Sequence, residues 1–157
     1  MEHEKQHRQS MQHACYGRLA LMLGASFIAM YILMYAMVNR LDNVFNSTNQ
    51  VYMAGLMTAA MLVIELGLMG GMYPNKKRNA VLMAVGLVAL VGFWTLIRQQ
   101  AAINDRQFLR SMIPHHAGAI LMCEQAPIHD PQILQLCEQI KVSQQAEIAQ
   151  MKSLLEQ

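Results

Sequence analysis

Charged side chains are scarce in this chain of 157 residues: Asp, Glu, Lys and Arg make up 14% of it, and the formal net charge at pH 7 is only +2. So small a positive charge excludes the strong electrostatic attraction on which most nucleic-acid-binding proteins depend. The sequence also lacks a glycine-rich phosphate loop, a Ser/His/Asp arrangement with supporting context, and any low-complexity tract. We therefore predict that the protein is not an enzyme.

What the chain has instead is long apolar stretches, since 54% of its residues are hydrophobic. Residues 19–38 contain no charged side chain, residues 52–73 contain only Glu65, and residues 80–97 contain none. At a rise of about 1.5 Å per residue, a helix of about 20 residues crosses a hydrocarbon core of roughly 30 Å. The sequence therefore predicts an all-α protein with a three-helix transmembrane region over residues 19–97, in contact with membrane lipid.

The orientation of these spans is predicted from the basic residues in the segments that flank them. The segments on one side contain six such residues: Lys5, Arg8, Arg18, Lys76, Lys77 and Arg78. The segments on the other side contain four: Arg40, Arg98, Arg106 and Arg110. Because basic residues are enriched in the cytoplasm, we predict a cytoplasmic tail over residues 1–18. With an odd number of spans, residues 98–157 then form a domain outside the cytoplasm.

This C-terminal segment, residues 98–157, has the one-sided apolar pattern of a helical hairpin. The first helix begins at an N-cap, either Asn104 or Asp105, and its apolar residues recur at helical spacing. Pro114 has no backbone N–H for a helical hydrogen bond, so we expect a kink or a restart there. The run APIHDPQ ends this helix, and residues 132–155 form a second amphipathic helix.

One face of the first helix gathers the soft ligands of the hairpin. At about 100° per residue, one arc of roughly 120° includes Met112, His115, His116, Met122 and Cys123. The arc of the second helix that should face it includes Cys137, Gln144, Glu147 and Met151. Antiparallel pairing about the turn puts Cys123 level with Cys137 and His116 level with Gln144. The two cysteines are therefore expected either to form a disulfide or to bind a metal.

Inward histidines opposite a glutamate and a glutamine are costly to bury unless they bind a metal or form a hydrogen-bonded core network. Imidazole, thioether and thiolate groups together suit Cu(I), and by extension Ag(I), with Zn(II) as the main competitor. The predicted metal ligands are Met112, His115, His116, Met122, Glu147 and Met151, with Cys123, Cys137 and Gln144 as further candidates. The alternative is a core network without metal, in a purely structural module.

At these residues the chain resembles the bacterial family catalogued as domain of unknown function 305. The shared motif is an Asp, a Phe, a Met-Ile-Pro-His-His run and a later Gln, Glu-Ile and Met series, here Asp105, Phe108, 112–116, Ala119, Met122, Gln144, Glu147, Ile148 and Met151. The resemblance implies a ferritin-like helical protein like the membrane-anchored members, and some family members are periplasmic copper-binding proteins. Together with the predicted orientation, it leads us to expect a protein of the bacterial inner membrane with its C-terminal domain in the periplasm. Larger members contain the histidine motif twice. The single copy here gives a single hairpin, so we expect that a homodimer or higher homo-oligomer completes a four-helix bundle, or that the hairpin docks against the membrane part.

The second span offers a different candidate site. Met53, Met57, Met61, Glu65 and Met69 recur every four residues and so share one stripe of the helix. An ionisable group inside a span usually faces a partner or a pathway, so we expect Glu65 to face other helices and keep it as a further candidate ligand. Metal transport along a Met/Glu-lined path is therefore an alternative function. The principal prediction is soft-metal binding by the hairpin, in copper or silver handling.

Overall fold

The computed structural model describes the backbone of residues 2–157 and the side chains of residues 14–157. Five helices follow one another along this range: α1 (Glu2–Leu33), α2 (Thr48–Met69), α3 (Lys76–Gln99), α4 (Asp105–Gln125) and α5 (Pro131–Leu155). Short 3-10 turns lie at Met34–Met37, Leu41–Asn43 and Gly70–Met72. Because the described residues form helices and no strands, the predicted all-α class is confirmed.

Among the described residues, three segments are long and apolar enough to cross a membrane: Ala14–Met37, Thr48–Met72 and Lys76–Gln99. They coincide with the three predicted spans, although each begins four or five residues earlier than predicted. α1 begins at Glu2, so the predicted cytoplasmic tail continues into the first span as one helix. No proline interrupts this stretch. α3 begins at Lys76 and therefore includes the three basic residues 76–78. It begins there because Asn75 is its N-cap: the Asn75 side chain accepts from the backbone N–H of Arg78 at 3.1 Å.

The chain forms two compact units. The first, which we call the span unit, consists of Met1–Tyr31 and Val51–Ala101. The second, which we call the hairpin unit, consists of Ile32–Gln50 and Ala102–Gln157.

In the span unit, α2 packs against both α1 and α3. Its buried residues are Ala54, Gly55, Ala59, Leu62 and Leu66. Small residues on this face allow close helix contact, and a Cβ on Gly55 would lie 2.5 Å from the Phe93 ring of α3. Leu62 and Leu66 also pack against Leu19 of α1.

In the hairpin unit, α4 and α5 pack antiparallel around a small apolar core. Its buried members are Ile113, Ala117, Ile120, Ile148 and Met151. Val38 and Phe45, from the segment between α1 and α2, pack against this core. Two polar contacts hold the same segment: the Thr48 backbone N–H donates to Gln107 Oε1 at 2.9 Å, and Lys152 Nζ donates to Asp42 Oδ2 at 2.9 Å. The compact unit thus includes residues 32–50 in addition to most of the predicted segment 98–157.

These contacts bear on how the helices cross a membrane. Because residues 38–48 touch α4 and α5, both must lie on the same side of any membrane that the spans cross. If α2 and α3 each cross the membrane once, the chain returns after them to the side on which residues 38–48 lie. The contacts therefore agree with three spans.

Candidate metal centre

α4 presents the predicted ligands, and local sequence fixes where it begins. Asn104 is the N-cap, and its Oδ1 accepts from the backbone N–H of Gln107 at 2.9 Å. The helix continues through Pro114 without a break, so the restart considered from the sequence does not occur. α5 begins in the same manner, with Asp130 as its N-cap and Pro131 in its first turn.

Among the predicted ligands, His116 is buried and has a hydrogen-bond partner at each ring nitrogen. It is 8% exposed, and both ring nitrogens have polar neighbours. Nδ1 lies 2.9 Å from the backbone carbonyl oxygen of Met112, and because a carbonyl oxygen only accepts, Nδ1 carries the hydrogen. Nε2 lies 2.7 Å from Oε2 of Glu147 on α5. The carbonyl therefore orients the ring and directs Nε2 at the partner helix.

The pairing of His116 with Glu147 lies about one helical turn from the predicted register, which put His116 level with Gln144. Side chains on a helix tilt toward its N-terminus. The His116 ring therefore reaches back toward the level of Ile113, which is where the same register puts Glu147. Since α5 runs in the opposite direction, the Glu147 side chain tilts the other way and meets the ring.

Met112 and Met151 add two thioether groups to this part of the hairpin. Met151 is a buried member of the apolar core, and the half-buried Met112 packs against that core. The Met112 backbone carbonyl also holds His116. We call His116, Glu147, Met112 and Met151 the His116 group.

Two other predicted ligands, His115 and Met122, are exposed. The His115 ring centroid lies 6.1 Å from that of His116, but the residue is on the outer side of α4. Met122 is 52% exposed and lies six residues after His116, which is about 9 Å further along the helix axis. The structure therefore places neither side chain within the His116 group.

Cys123 and Cys137 form a disulfide, with their Cα atoms 5.3 Å apart. The bond closes the hairpin beside its turn, where the predicted register put the two residues level. Each sulfur is bonded to the other, so neither is a thiolate available to a metal in this state. Of the two alternatives left open by the sequence, the structure has the disulfide.

Gln144 is half-buried, one turn before Glu147 on α5. Its Oε1 is buried and has no hydrogen-bond partner among the described residues. A buried acceptor without a donor costs free energy. A cation or a donor near this oxygen would therefore be stabilising.

Glu65 lies in the span unit and has a partner there. Its Oε1 accepts from the Tyr73 hydroxyl at 2.9 Å, and the Tyr73 ring lies 5.6 Å from the Tyr16 ring of α1. Tyr16 donates to Oδ1 of Asn79 on α3 at 2.7 Å. Glu65 is thus linked to both neighbouring helices. Sequence reasoning missed Tyr73, although its position just after the span, two helical turns from Glu65, was a usable signal.

Three methionines of the α2 stripe lie away from the buried face of that helix. Met53, Met57 and Met69 are 40%, 41% and 41% exposed, whereas the buried residues of α2 are small and leucine side chains. Met61 and Glu65 of the same stripe are half-buried. The stripe is therefore only partly on the outer side of the span unit.

Within residues 14–157, no three side chains of His, Cys, Asp or Glu come together as a metal-binding group. His116 and Glu147 are a pair without a third member of that kind. A zinc site usually takes three or four such ligands, whereas Cu(I) also accepts methionine thioethers. A metal at His116 would therefore need Met112, Met151 or Gln144 to complete its ligands.

Comparison with known proteins places this arrangement in a family. Residues 53–155 match the family described as Domain of unknown function (DUF305), so the match begins in α2 and includes α3 as well as the hairpin. An uncharacterized protein of Acanthamoeba polyphaga mimivirus is 35% identical over 142 residues, which cover 88% of this chain and 91% of the viral protein. No solved structure matches the chain. The chain belongs to the family described as Domain of unknown function (DUF305).

Proposed function

We propose that this is an integral membrane protein whose α4–α5 hairpin binds Cu(I), and by extension Ag(I), in copper or silver handling. One observation carries the proposal: His116 is buried, and a backbone carbonyl holds its Nδ1–H so that Nε2 points at the partner helix. Metal-binding histidines are commonly oriented in this way, through a hydrogen bond on the nitrogen that does not bind the metal.

The donors near His116 suit a soft cation. Nε2 of His116 and the thioethers of Met112 and Met151 are neutral ligands of the kind that Cu(I) prefers. A hydrogen bond joins Glu147 to Nε2 in the metal-free arrangement, and the Glu147 side chain is 53% exposed. A metal that binds Nε2 takes the place of the proton in this hydrogen bond, the proton leaves to water, and the carboxylate can move into water. Gln144, with its unpartnered oxygen, is a further group that a bound cation would stabilise.

Zn(II) is the competing metal, and the two make different demands on Glu147. A zinc site would keep the carboxylate as a ligand and would need further nitrogen, oxygen or thiolate ligands. Cu(I) bound by His116 and methionine needs no negative charge from the protein. Glu147→Gln is thus expected to weaken zinc binding more than Cu(I) binding.

The test is competition for Cu(I) between a coloured Cu(I) chelator and the purified full-length protein, with ascorbate as reductant. His116→Ala is expected to weaken binding at least about tenfold, because loss of even a group that only supports a ligand costs 10–100-fold. Met151→Leu removes the sulfur at nearly constant volume and is also expected to weaken binding. Circular dichroism checks that each variant keeps its helices.

His129→Ala is the matched control, since it makes the same change at an exposed histidine in the turn between α4 and α5. Its affinity for Cu(I) is expected to equal that of the wild type. If a variant with both His115 and His116 changed to Ala binds Cu(I) as tightly as this control, His116 belongs to a core hydrogen-bond network without metal and the proposal fails.

We further propose that the hairpin unit lies in a bacterial periplasm and that the spans cross the inner membrane with the N-terminus in the cytoplasm. The excess of basic residues on the other side supports this orientation. The Cys123–Cys137 disulfide also supports it, because disulfides persist in oxidising compartments. An enzyme reporter that is active only in the periplasm should be active when fused after Gln157. A well-expressed but inactive fusion would contradict the orientation.

We also propose that a second copy of the chain packs against the hairpin unit. Two helices make a thin core, and the hairpin exposes large apolar side chains, among them Phe108, Leu136, Val142 and Leu154. Chemical cross-linking of the protein in its membrane should yield a dimer, and Val142→Glu should reduce it. A monomer at all concentrations would contradict the proposal.

A further inference from the structure

The start of α4, the end of α5 and the segment between α1 and α2 line a cavity of about 290 Å³ in the hairpin unit, which is partly open to solvent. Three basic side chains line it: Arg106, Arg110 and Lys152. Its other lining residues are the acidic Asp42 and Glu156 and the apolar Phe45 and Leu155. The proposed metal function uses none of these residues.

Two of the three basic residues already have partners. Lys152 donates to Asp42 at 2.9 Å, and Arg40 donates to the same carboxylate at 3.0 Å. Arg106 donates to the backbone carbonyl of Leu155 at 3.0 Å, at the C-terminal end of α5, where a cation is favoured. Each of these contacts has a structural role in joining the parts of the unit.

Arg110 is different because it is half-buried and, among the described residues, has neither an ion pair nor a hydrogen bond. A guanidinium group offers five N–H donors in a planar fork that matches phosphate or carboxylate oxygens. The nitrogens of Arg110 are not among the fully buried polar atoms of the described residues, so the guanidinium is open to solvent and its donors are free for a ligand in the cavity.

The charges around the cavity favour an anion. Arg40 and the three basic lining residues outnumber the carboxylates of Asp42 and Glu156, and two cations already neutralise Asp42. Glu156 opposes an anion, but it is exposed to water, which screens its charge. The lining of the cavity therefore carries a net positive charge, which attracts an anion.

We infer that this cavity binds the phosphate group of an anionic ligand through Arg110, with Arg106 and Lys152 contributing. A phosphate presents several oxygens at once, which suits basic groups that arrive from both helices. Phe45 and Leu155 beside these groups suit a ligand with an apolar part next to its phosphate.

A phospholipid head group and a free phosphate both have this chemistry. The chain keeps the cavity near the ends of the candidate spans, because Asp42 follows Met37 by five residues and precedes Thr48 by six. A lipid head group could therefore reach it, and the experiment must distinguish the two sources.

Isothermal titration of the purified full-length protein in an uncharged detergent tests the inference with three probes. These are inorganic phosphate, dihexanoyl phosphatidylglycerol, and dihexanoylglycerol, which has the same apolar part but no phosphate. Saturable binding is expected for the phosphate-bearing probes and not for dihexanoylglycerol. Tighter binding of phosphatidylglycerol than of inorganic phosphate identifies a lipid head group as the ligand, and the reverse identifies free phosphate.

Arg110→Gln is expected to weaken binding of the better phosphate probe about tenfold, which is the usual loss for one charge-assisted hydrogen-bonding group. Because Arg110 has no partner in the fold, this change should leave the thermal unfolding of the protein unaltered. Lys141→Gln is the matched control: it removes one positive charge from α5 outside the cavity and should leave binding unchanged.

Three results would overturn the inference. The first is no saturable binding of either phosphate probe up to about 10 mM. The second is binding of dihexanoylglycerol as tight as that of phosphatidylglycerol. The third is an equal loss of affinity in Arg110→Gln and Lys141→Gln, since that would reflect net charge alone.

Discussion

The disulfide between Cys123 and Cys137 is predicted to supply a large share of the stability of the hairpin unit. It closes a loop with a sequence separation of 14 residues. In the chain-entropy treatment, closing a loop of this length restricts the unfolded chain by about 3 kcal/mol at 25 °C. The core that the bond supports has few buried members. A loss of about 3 kcal/mol is large beside the roughly 5–15 kcal/mol that stabilises a whole domain.

Hydrogen exchange of the full-length protein measures this contribution when both cysteines of the bond are changed to serine. Because a tenfold change corresponds to about 1.4 kcal/mol, a loss of about 3 kcal/mol predicts exchange roughly 100-fold faster at the core amides of α4 and α5. The amides of α2 and α3 provide an internal reference. Cys15→Ser is the matched control, since Cys15 is a free cysteine outside the hairpin unit.

The expected result is fast exchange in the hairpin unit of the double variant and wild-type exchange in Cys15→Ser. Exchange of the core amides within about threefold of the wild type in the double variant would refute the reasoning. It would mean that closing the turn contributes little to holding α4 against α5.

Three further predictions concern single side chains. Ile148 is 1% exposed, so Ile148→Ala should destabilise the hairpin unit by about 2–5 kcal/mol and Ile148→Val by about 0.5–1.5 kcal/mol, measured by the same exchange. Glu65→Gln keeps an acceptor for the Tyr73 hydroxyl and should preserve the yield of folded protein. Glu65→Leu leaves the hydroxyl unpaired and should lower that yield. Equal yields of the two variants would argue against the contact. Hydrogen bonds from Lys152 and a neighbouring arginine lower the pKa of Asp42 below its usual 3.8, so its stabilising contribution is present above that pH and is lost as the pH falls through the lower value. NMR titration of the Asp42 carboxyl should show a midpoint below 3.8 that rises in Lys152→Met, and an unchanged midpoint would contradict the assignment.

The sequence by itself determined the helices and their order. Uncharged stretches of about 20 residues have few stable alternatives to a membrane-spanning helix, because every backbone polar group must be paired within the segment. The boundaries of α4 and α5 could also be predicted, since Asn104 and Asp130 cap them through contacts only two or three residues along the chain. The turn between those helices fixes their register, and hence the meeting of Cys123 with Cys137.

Only the tertiary structure decided which of the soft ligands lie together. A projected arc of about 120° treats His115 and His116 alike, but neighbours on a helix point about 100° apart, and the partner helix covers only one of them. His116 therefore reaches Glu147, while His115 stays outside.

Only the tertiary structure decided the contacts between distant parts of the chain. Thr48 meets Gln107, Asp42 meets Lys152, and Val38 and Phe45 enter the core of α4 and α5. The periodicity of a helix describes neighbours three or four residues apart, whereas these pairs depend on how whole helices are placed. The segment between the first two spans therefore belongs to the hairpin unit because it completes the apolar core of α4 and α5. No local sequence pattern indicates this packing.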